Sequence, residues 1–228
     1  MAEIHGPKIV RDGLVLNLDA ADKVSYPGSG TTWYDLSGNN NHVTATNGPT
    51  WNTSGYFAND GDSYFTGTGT STIPTGNSPY TMLIWVRQKS AYGWGSNNGF
   101  ISIGGYGTNN QSNALRTNNN TVGHFWHYWW FTDVGVSDNN AGLSLDRWFC
   151  VSATFDGTTR RIWINGISRA SDTPGSVHNV TSTTIQISKT YGTEYQVGDI
   201  AIARIYNRAL TSQEMLINFN TEKTRFGL

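Results

Sequence analysis

Cysteine, charge and long apolar runs are all scarce in this sequence. The 228 residues contain a single cysteine, Cys150, so no disulfide can form within the chain. Charged residues make up 14 %, against about 25 % in an average soluble domain, and the formal net charge is −1. A nearly neutral chain whose longest basic cluster is Arg160-Arg161 does not attract nucleic acid or anionic lipid.

Segments that would direct the chain into or across a membrane are missing as well. No run approaches the roughly 18 apolar residues that a membrane-spanning helix needs, and residues 1–13 lack the apolar core of a signal peptide. We therefore expect synthesis in a cytoplasm, with a route such as host-cell lysis if the protein acts outside.

Short alternating runs, separated by Gly, Asn, Ser and Pro, dominate what is present. Such runs are typical of strands with one buried side, and their short, regular spacing indicates a sandwich or barrel. The sequence predicts a single all-β domain, a two-sheet antiparallel β-sandwich (jelly roll) with one short C-terminal helix. The predicted strands cover residues 13–20, 80–88, 100–103, 148–155, 161–165, 185–188 and 199–206. Residues 1–12 are predicted to form an N-terminal arm, and residues 13–228 the domain.

The one predicted helix begins after Thr211. Thr211 with Glu214 three residues later forms a capping box, and Leu210 and Met215 have the spacing of a hydrophobic staple. We expect a helix of one to two turns over residues 212–219.

Three segments resemble motifs of the laminin-G-like, concanavalin-A-like jelly roll: residues 78–86, the hairpin 148–166, and the closing strand and capped helix 198–211. Together the matches extend from about Leu14 to Phe219. The opening, residues 13–20 and 25–39, resembles a segment common in virion proteins of tailed bacteriophages. This resemblance implies a non-catalytic protein of the virion surface: a capsid decoration, tail or fibre component.

The implied partners are other virion proteins or copies of the chain in a homo-oligomer, with a host-surface glycan as a further partner. The alternative is a stand-alone carbohydrate-binding lectin, and a glycoside hydrolase is the third hypothesis. Hydrolases of this fold carry a Glu-x-Asp-x-(x)-Glu cluster on one strand, whereas none of the four glutamates here (Glu3, Glu194, Glu214, Glu222) has a neighbouring acid at that spacing. We therefore expect no enzymatic activity and no catalytic residues.

The resemblance implies calcium as a candidate metal. Many relatives place an Asp-Glu pair in the closing strand, but Ala201 and Ile202 occupy the matching positions. Asp60, Asp62 and Asp199 are weak candidate ligands, and we favour a role for them in turns. No cofactor is expected, with Ca²⁺ kept as an alternative.

The most unusual segment is the aromatic run from His124 to Phe131. As a strand it would direct Phe125, His127, Trp129 and Phe131 to one face. Its other face would carry the candidate site residues His124, Trp126, Tyr128 and Trp130. Only one face can fill the core, so the other would expose several hundred Å² of aromatic surface.

Three interpretations of that second face stay open: a cover formed by a long loop (residues 92–98 or 104–120), an interface between copies or virion proteins, and a carbohydrate platform. A second candidate segment, residues 91–99, sets Tyr92 and Trp94 among glycines next to Asn97 and Asn98. Rings that pack on the sheet edge are its alternative explanation. Trp33, Tyr34 and Trp51 are expected to fill the ends of the sandwich.

Overall fold

The computed structural model describes residues 8–89, 98–117, 125–136, 144–175 and 178–228. In this part of the chain the strands are β1 (Leu14–Asp19), β2 (Thr32–Trp33), β3 (Val43–Thr46), β4 (Thr50–Asn52), β5 (Tyr56–Asp60), β6 (Tyr64–Thr68), β7 (Tyr80–Gln88), β8 (Gly99–Gly104), β9 (Ser112–Thr117), β10 (Phe125–Tyr128), β11 (Val134–Val136), β12 (Trp148–Phe155), β13 (Arg160–Ile164), β14 (Ile167–Asp172), β15 (Thr184–Ile187) and β16 (Val197–Tyr206). The helix α1 spans Ser212–Glu222, and a 3₁₀ turn spans Lys223–Phe226.

These strands form two antiparallel sheets, which confirms the predicted sandwich. The back sheet has the order β14-β13-β12-β7-β16-β5-β4, with β1 also paired to β16. The front sheet has the order β11-β10-β9-β8-β15-β6-β3-β2. Strands β7 and β12 have the predicted bounds, and the other five predicted strands differ by one or two residues at their ends.

The core lies between the sheets because alternate residues of each strand point inward. On β7 the inward side chains Tyr80, Met82, Ile84 and Val86 are all fully buried. Trp33 is fully buried in the same core, and its ring centroid lies 4.8 Å from that of Phe57.

Of the three rings expected at the sandwich ends, Trp33 is buried. The other two differ: Trp51 is only half-buried, and Tyr34 is 42 % exposed.

The outer face of the back sheet is covered by the C-terminal segment. The predicted capping box of Thr211 and Glu214 is present, and α1 runs three residues beyond the predicted end at Phe219. The 3₁₀ turn then places Phe226 flat against Trp85, with ring centroids 4.0 Å apart. Cys150 is buried in this outer cluster rather than between the sheets.

Residues 8–12 of the predicted arm lie against α1. The Val10 backbone N–H donates to Asn218 Oδ1 at 2.8 Å, and the Tyr206 hydroxyl donates to the Val10 carbonyl at 3.1 Å. In the part of the chain that the structure describes, no helix has the length and apolar character needed to span a bilayer.

Candidate functional site

Strand β10 contains residues 125–128 of the aromatic run, and these four residues alternate as predicted. Phe125 and His127 are fully buried on the core side, while Trp126 and Tyr128 point outward and are half-buried. Trp126 lies opposite Arg116 of β9 on one side and Gly135 of β11 on the other. The outer surface of the front sheet is called the front face below.

The chain leaves the strand after Tyr128, which corrects the predicted alternation over residues 124–131. The Trp129 N–H donates to Asp133 Oδ1 at 2.8 Å, and Trp130 has a φ of 85°, a left-handed conformation. Trp129 therefore turns into the core, where it is fully buried, but Phe131 is 72 % exposed. The prediction that Phe131 shares the buried face is wrong, because the strand geometry ends three residues earlier.

Two further rings join the outward aromatic residues of this segment. The Trp130 ring lies 4.3 Å from Tyr191 and 5.9 Å from Tyr106, and Tyr128 lies 5.8 Å from Trp130. Tyr106 belongs to the β8–β9 connection and Tyr191 to the β15–β16 connection. We call Trp126, Tyr128, Trp130, Tyr106 and Tyr191 the aromatic platform.

Sequence reasoning missed Tyr106 and Tyr191 as members of this group. Tyr106 lies in segment 104–120, one of the two loops considered as a cover for the outer face of β10, so its contact with Trp130 agrees with that interpretation. Tyr191 lies outside both loops and remains 43 % exposed. Tyr191 next to Gly192 offered only a weak signal, since nothing local connects it to residues some 60 positions earlier.

An ion pair fixes the platform from the side. The Arg116 guanidinium lies 3.9 Å from the Tyr128 ring centroid and pairs with Glu194. The Thr190 hydroxyl donates to the other oxygen of Glu194 at 2.7 Å. The cation on this edge is thus neutralised, while it still contributes an attractive contact to the ring.

A glycine sets the position of Trp126. A Cβ at Gly135 would lie 2.9 Å from the Trp126 indole nitrogen, closer than side-chain contacts allow. The indole can therefore lie close over the β11 backbone only because residue 135 has no side chain.

A polar and aromatic cluster supports β10 from the core side. The His127 Nε2 and Tyr80 hydroxyl are 2.7 Å apart, and the Trp129 indole N–H donates to the same hydroxyl at 2.9 Å. His178 stacks on Trp129 with ring centroids 3.8 Å apart. The buried Arg160 lies 4.1 Å from the Trp129 ring centroid.

Burial controls the protonation of both histidines in this cluster. Loss of hydration lowers the pKa of His178 from 6.5 to about 4, and it holds the pKa of His127 well below 6.5. The Arg160 cation lowers both values further. Both rings are therefore neutral at pH 7.

The second predicted segment is only partly described. Asn98 is 1 % exposed, and its side-chain oxygen accepts the Val197 N–H at 3.1 Å, so its amide is out of reach of a surface ligand. Tyr92, Trp94 and Asn97, together with His124 of the aromatic run, lie outside the described residues.

The candidate calcium ligands do not come together. Asp199 is 1 % exposed and lies between Arg87 (2.6 Å) and Lys89 (3.0 Å). Asp60 accepts the Ser63 N–H at 3.3 Å, and the Ser63 hydrogen bonds lower the pKa of Asp60, as in a turn. Asp62 is exposed in the same turn, and the described residues contain no group of three acids, histidines or cysteines suited to a metal. The candidate residues Asp60, Asp62 and Asp199 therefore do not fit a calcium site.

A separate depression of about 230 Å³ lies on the back sheet, lined in part by Tyr56, Trp148 and two guanidinium groups. Asp199 neutralises Arg87, and Asp19 neutralises Arg225, at 2.7 Å. Because both cations already have carboxylate partners, this depression is a weaker candidate than the front face.

The fold and the two outer faces define a lectin-type β-sandwich with one face covered by a helix and one bearing aromatic rings. Residues 59–215, more than half of the chain, match the model of the family described as "Concanavalin A-like lectin/glucanases superfamily". The chain belongs to this family, which confirms the jelly-roll part of the resemblance. A comparison with curated proteins finds no match.

Solved structures with the same fold include toxin binding domains. The botulinum neurotoxin serotype D binding domain has a TM-score of 0.68 at 16 % identity, over 92 % of this chain and 52 % of that one. The binding domain of Paraclostridial Mosquitocidal Protein 1 has a TM-score of 0.65 at 16 % identity, over 92 % and 52 %. At these identities the likeness concerns the fold alone, and the chain spans about half the length of these structures.

Proposed function

We propose that this protein is a non-catalytic glycan-binding module whose binding surface is the front face. The observation that carries the proposal is the aromatic platform, in which rings from three separate segments meet on the outer side of a rigid sheet. Aromatic rings of this kind can stack on the apolar C–H faces of sugar rings, with nearby hydroxyl and amide groups for the sugar hydroxyls.

The contrast between the two outer faces supports this choice. On the back sheet, α1 and the 3₁₀ turn bury Trp85 and its neighbours. On the front face, Tyr191 keeps 43 % of its surface exposed, and Trp126, Tyr128 and Trp130 are half-buried. The rings are thus held by neighbours while part of each remains accessible.

The three glutamates that the structure describes are all bound to other side chains of the protein, which argues against their use in hydrolysis. Glu194 pairs with Arg116, Glu222 accepts the Trp85 indole N–H at 2.7 Å, and Glu214 holds the helix cap and Arg208. The Arg208 hydrogen bonds lower the pKa of Glu214 to about 2, so it cannot act as a general acid at neutral pH. The toxin domains of the same fold are named as binding domains, which agrees with a binding role here.

A glycan array with the purified protein tests the proposal, in the presence and absence of EDTA. We expect wild-type protein to bind, and Tyr191→Ala to reduce that binding about tenfold, because one stacking ring contributes about 1–1.5 kcal/mol. Tyr34→Ala is the matched control, since Tyr34 is exposed to the same degree (42 %) and lies outside the platform. If the wild-type protein binds no glycan on the array, the proposal is contradicted. Loss of binding in EDTA indicates that a bound cation is required.

We further propose assembly on a virion surface as a second function. Its support is the phage-like opening sequence together with Phe131, an aromatic side chain 72 % exposed beside the platform, of the kind that is enriched in protein interfaces. Light scattering of the purified chain is expected to show self-association that Phe131→Ser weakens. A wild-type monomer at all concentrations, or absence of the chain from the proteome of purified virions, contradicts this role.

A further inference from the structure

The connection between β15 and β16 joins the platform to a second cluster on the front face. Its two ends are bridged, residue 189 to residue 195, and the Glu194 N–H donates to the Tyr191 carbonyl at 2.7 Å. Its tip supplies Tyr191 to the platform, and Glu194 pairs with Arg116. Its base carries Lys189 and Tyr195, which face Tyr64 of β6.

At this base a lysine lies over two tyrosine rings. The Lys189 ammonium nitrogen is 4.3 Å from the Tyr64 ring centroid and 4.9 Å from that of Tyr195, and the two rings are 5.7 Å apart. All three side chains are half-buried.

The charge of Lys189 distinguishes it from its neighbour on the same face. Within the described ranges, no carboxylate lies within 4 Å of Lys189, whereas Arg116 is neutralised by Glu194. The electron-rich ring faces attract the ammonium group and hold it in place, but they do not cancel its charge. A cation that is fixed, partly dehydrated and without a counter-ion attracts an anionic group, which would form a charge-assisted hydrogen bond with it.

Half-buried polar side chains lie beside the base of this connection. Thr66 of β6 and Gln186 of β15 are register partners whose side chains point to the front face, whereas Ser102, the partner of Gln186 on β8, is 1 % exposed. From β10 to β6 there are four strand steps, a distance of about 19 Å at about 4.8 Å per step. A ligand that extends from Trp126 on β10 to Lys189 is therefore an oligosaccharide of several residues, whereas Tyr191, two residues from Lys189, is within reach of a shorter one.

We infer that the front face prefers acidic glycans, with sugar rings on the aromatic platform and a carboxylate or sulfate group on Lys189. This inference rests on the glycan-binding function proposed above. It adds the chemical class of the ligand and a residue that determines specificity.

An array of matched saccharide triplets tests the inference, each triplet containing the neutral, carboxylated and sulfated form of one oligosaccharide. For wild-type protein we expect at least one acidic form to bind about tenfold more tightly than its neutral counterpart, as one charge-assisted hydrogen bond allows. Comparison of the carboxylated with the sulfated forms identifies the anion. The preference for the acidic form is expected to decrease as the salt concentration rises from 0.05 to 0.5 M, because salt screens the charge of Lys189. Over this range the Debye length falls from above to below about 10 Å.

Variants separate this inference from the underlying function. Lys189→Gln is expected to reduce the ratio of acidic to neutral binding about tenfold, and Lys189→Arg to keep that ratio. Lys23→Gln is the matched control, because Lys23 also lies over a ring (Trp51, 4.2 Å), but that ring belongs to β4 of the back sheet. Thermal unfolding of each variant verifies the fold.

The possible outcomes are distinct. Equal binding of neutral and acidic forms by wild-type protein overturns the inference but leaves glycan binding in place, and so does an acidic preference that survives Lys189→Gln. Absence of binding to every triplet overturns the glycan-binding function and this inference with it.

Discussion

Single residues on β10 and β11 determine whether the aromatic platform has its observed shape. Trp126 lies over Gly135 because that position has no Cβ, and Trp130 reaches Tyr191 because its backbone is left-handed. Neither feature can be predicted from local sequence. A tryptophan with positive φ is rare, and the need for glycine at 135 follows from a partner on the neighbouring strand.

Gly135→Ala is expected to displace the Trp126 indole. The added methyl group would lie 2.9 Å from the indole nitrogen, so the ring or the backbone must move, at a cost of about 1–3 kcal/mol of stability. Glycan affinity and tryptophan fluorescence should change together. Gly105→Ala is the control, since a Cβ there meets nothing within 4 Å; equal effects of the two substitutions would contradict the argument.

The buried histidines make stability depend on pH. Their folded-state pKa values lie below the unfolded value of about 6.5, so between these values the unfolded chain binds more protons than the folded one. The contribution of the neutral histidines to the free energy of unfolding is therefore complete above pH 6.5. It falls as the pH drops toward 4, by up to about 1.4 kcal/mol per pH unit for each histidine. The charged groups beside the cluster are Arg160 and Asp172, which form an ion pair at 2.6 Å.

His178→Phe tests this dependence, because it keeps a ring against Trp129 and removes the titrating group. Denaturant unfolding between pH 7 and pH 4 is expected to give a shallower decline for the variant than for the wild type. Parallel declines would show that His178 does not contribute.

At the level of elements, the sequence predicts well the strands that alternate strictly against the core, such as β7 and β12. It does not predict β9 and β11, whose short polar or glycine-containing runs acquire strand structure only through their neighbours. Helix α1 was predicted from its capping box, but its packing on Trp85 was not. The candidate site was predicted in the same partial way. Trp126, Tyr128 and Trp130 were expected from the aromatic run, whereas Tyr106 and Tyr191 were not, because they lie in connecting segments.

The C-terminal 3₁₀ turn is expected to shield Cys150 from reagents. Cys150 is buried beneath this segment, and burial raises the pKa of its thiol. Phe226→Ala removes the ring stacked on Trp85 and should increase the rate of thiol labelling several-fold by favouring local opening. Leu216→Ala on α1, where the side chain is already 44 % exposed, should leave the rate near that of the wild type; an equal increase would argue against this cover.

For the whole molecule, the two outer faces differ in what covers them. One face is packed against its own C-terminal segment and contributes stability, whereas the other holds aromatic rings whose exposed part is available for a ligand. The sheets of a sandwich lie about 10 Å apart, so changes on one outer face have no shared contacts with the other.

Substitutions on the two faces are therefore expected to be additive. Phe226→Ala should lower the free energy of unfolding by about 3 kcal/mol or less and leave glycan affinity unchanged. Tyr191→Ala should lower glycan affinity and leave the free energy of unfolding unchanged. The double variant should show the sum of the two effects within about 0.5 kcal/mol. Isothermal titration calorimetry with denaturant unfolding measures both quantities, and a large interaction energy would reveal coupling across the core.

The position of β16 has a consequence for how the chain acquires this structure on the ribosome. The last strand of the sequence lies inside the back sheet, between β7 on one side and β5 and β1 on the other, and Leu14 pairs with Tyr206. Until residue 206 has emerged from the exit tunnel, the edges of β7, β5 and β1 that pair with β16 have no partner in this sheet. The nascent chain must therefore avoid association through these edges during synthesis, and closure of the sheet by such distant contacts is a slow, late step of folding.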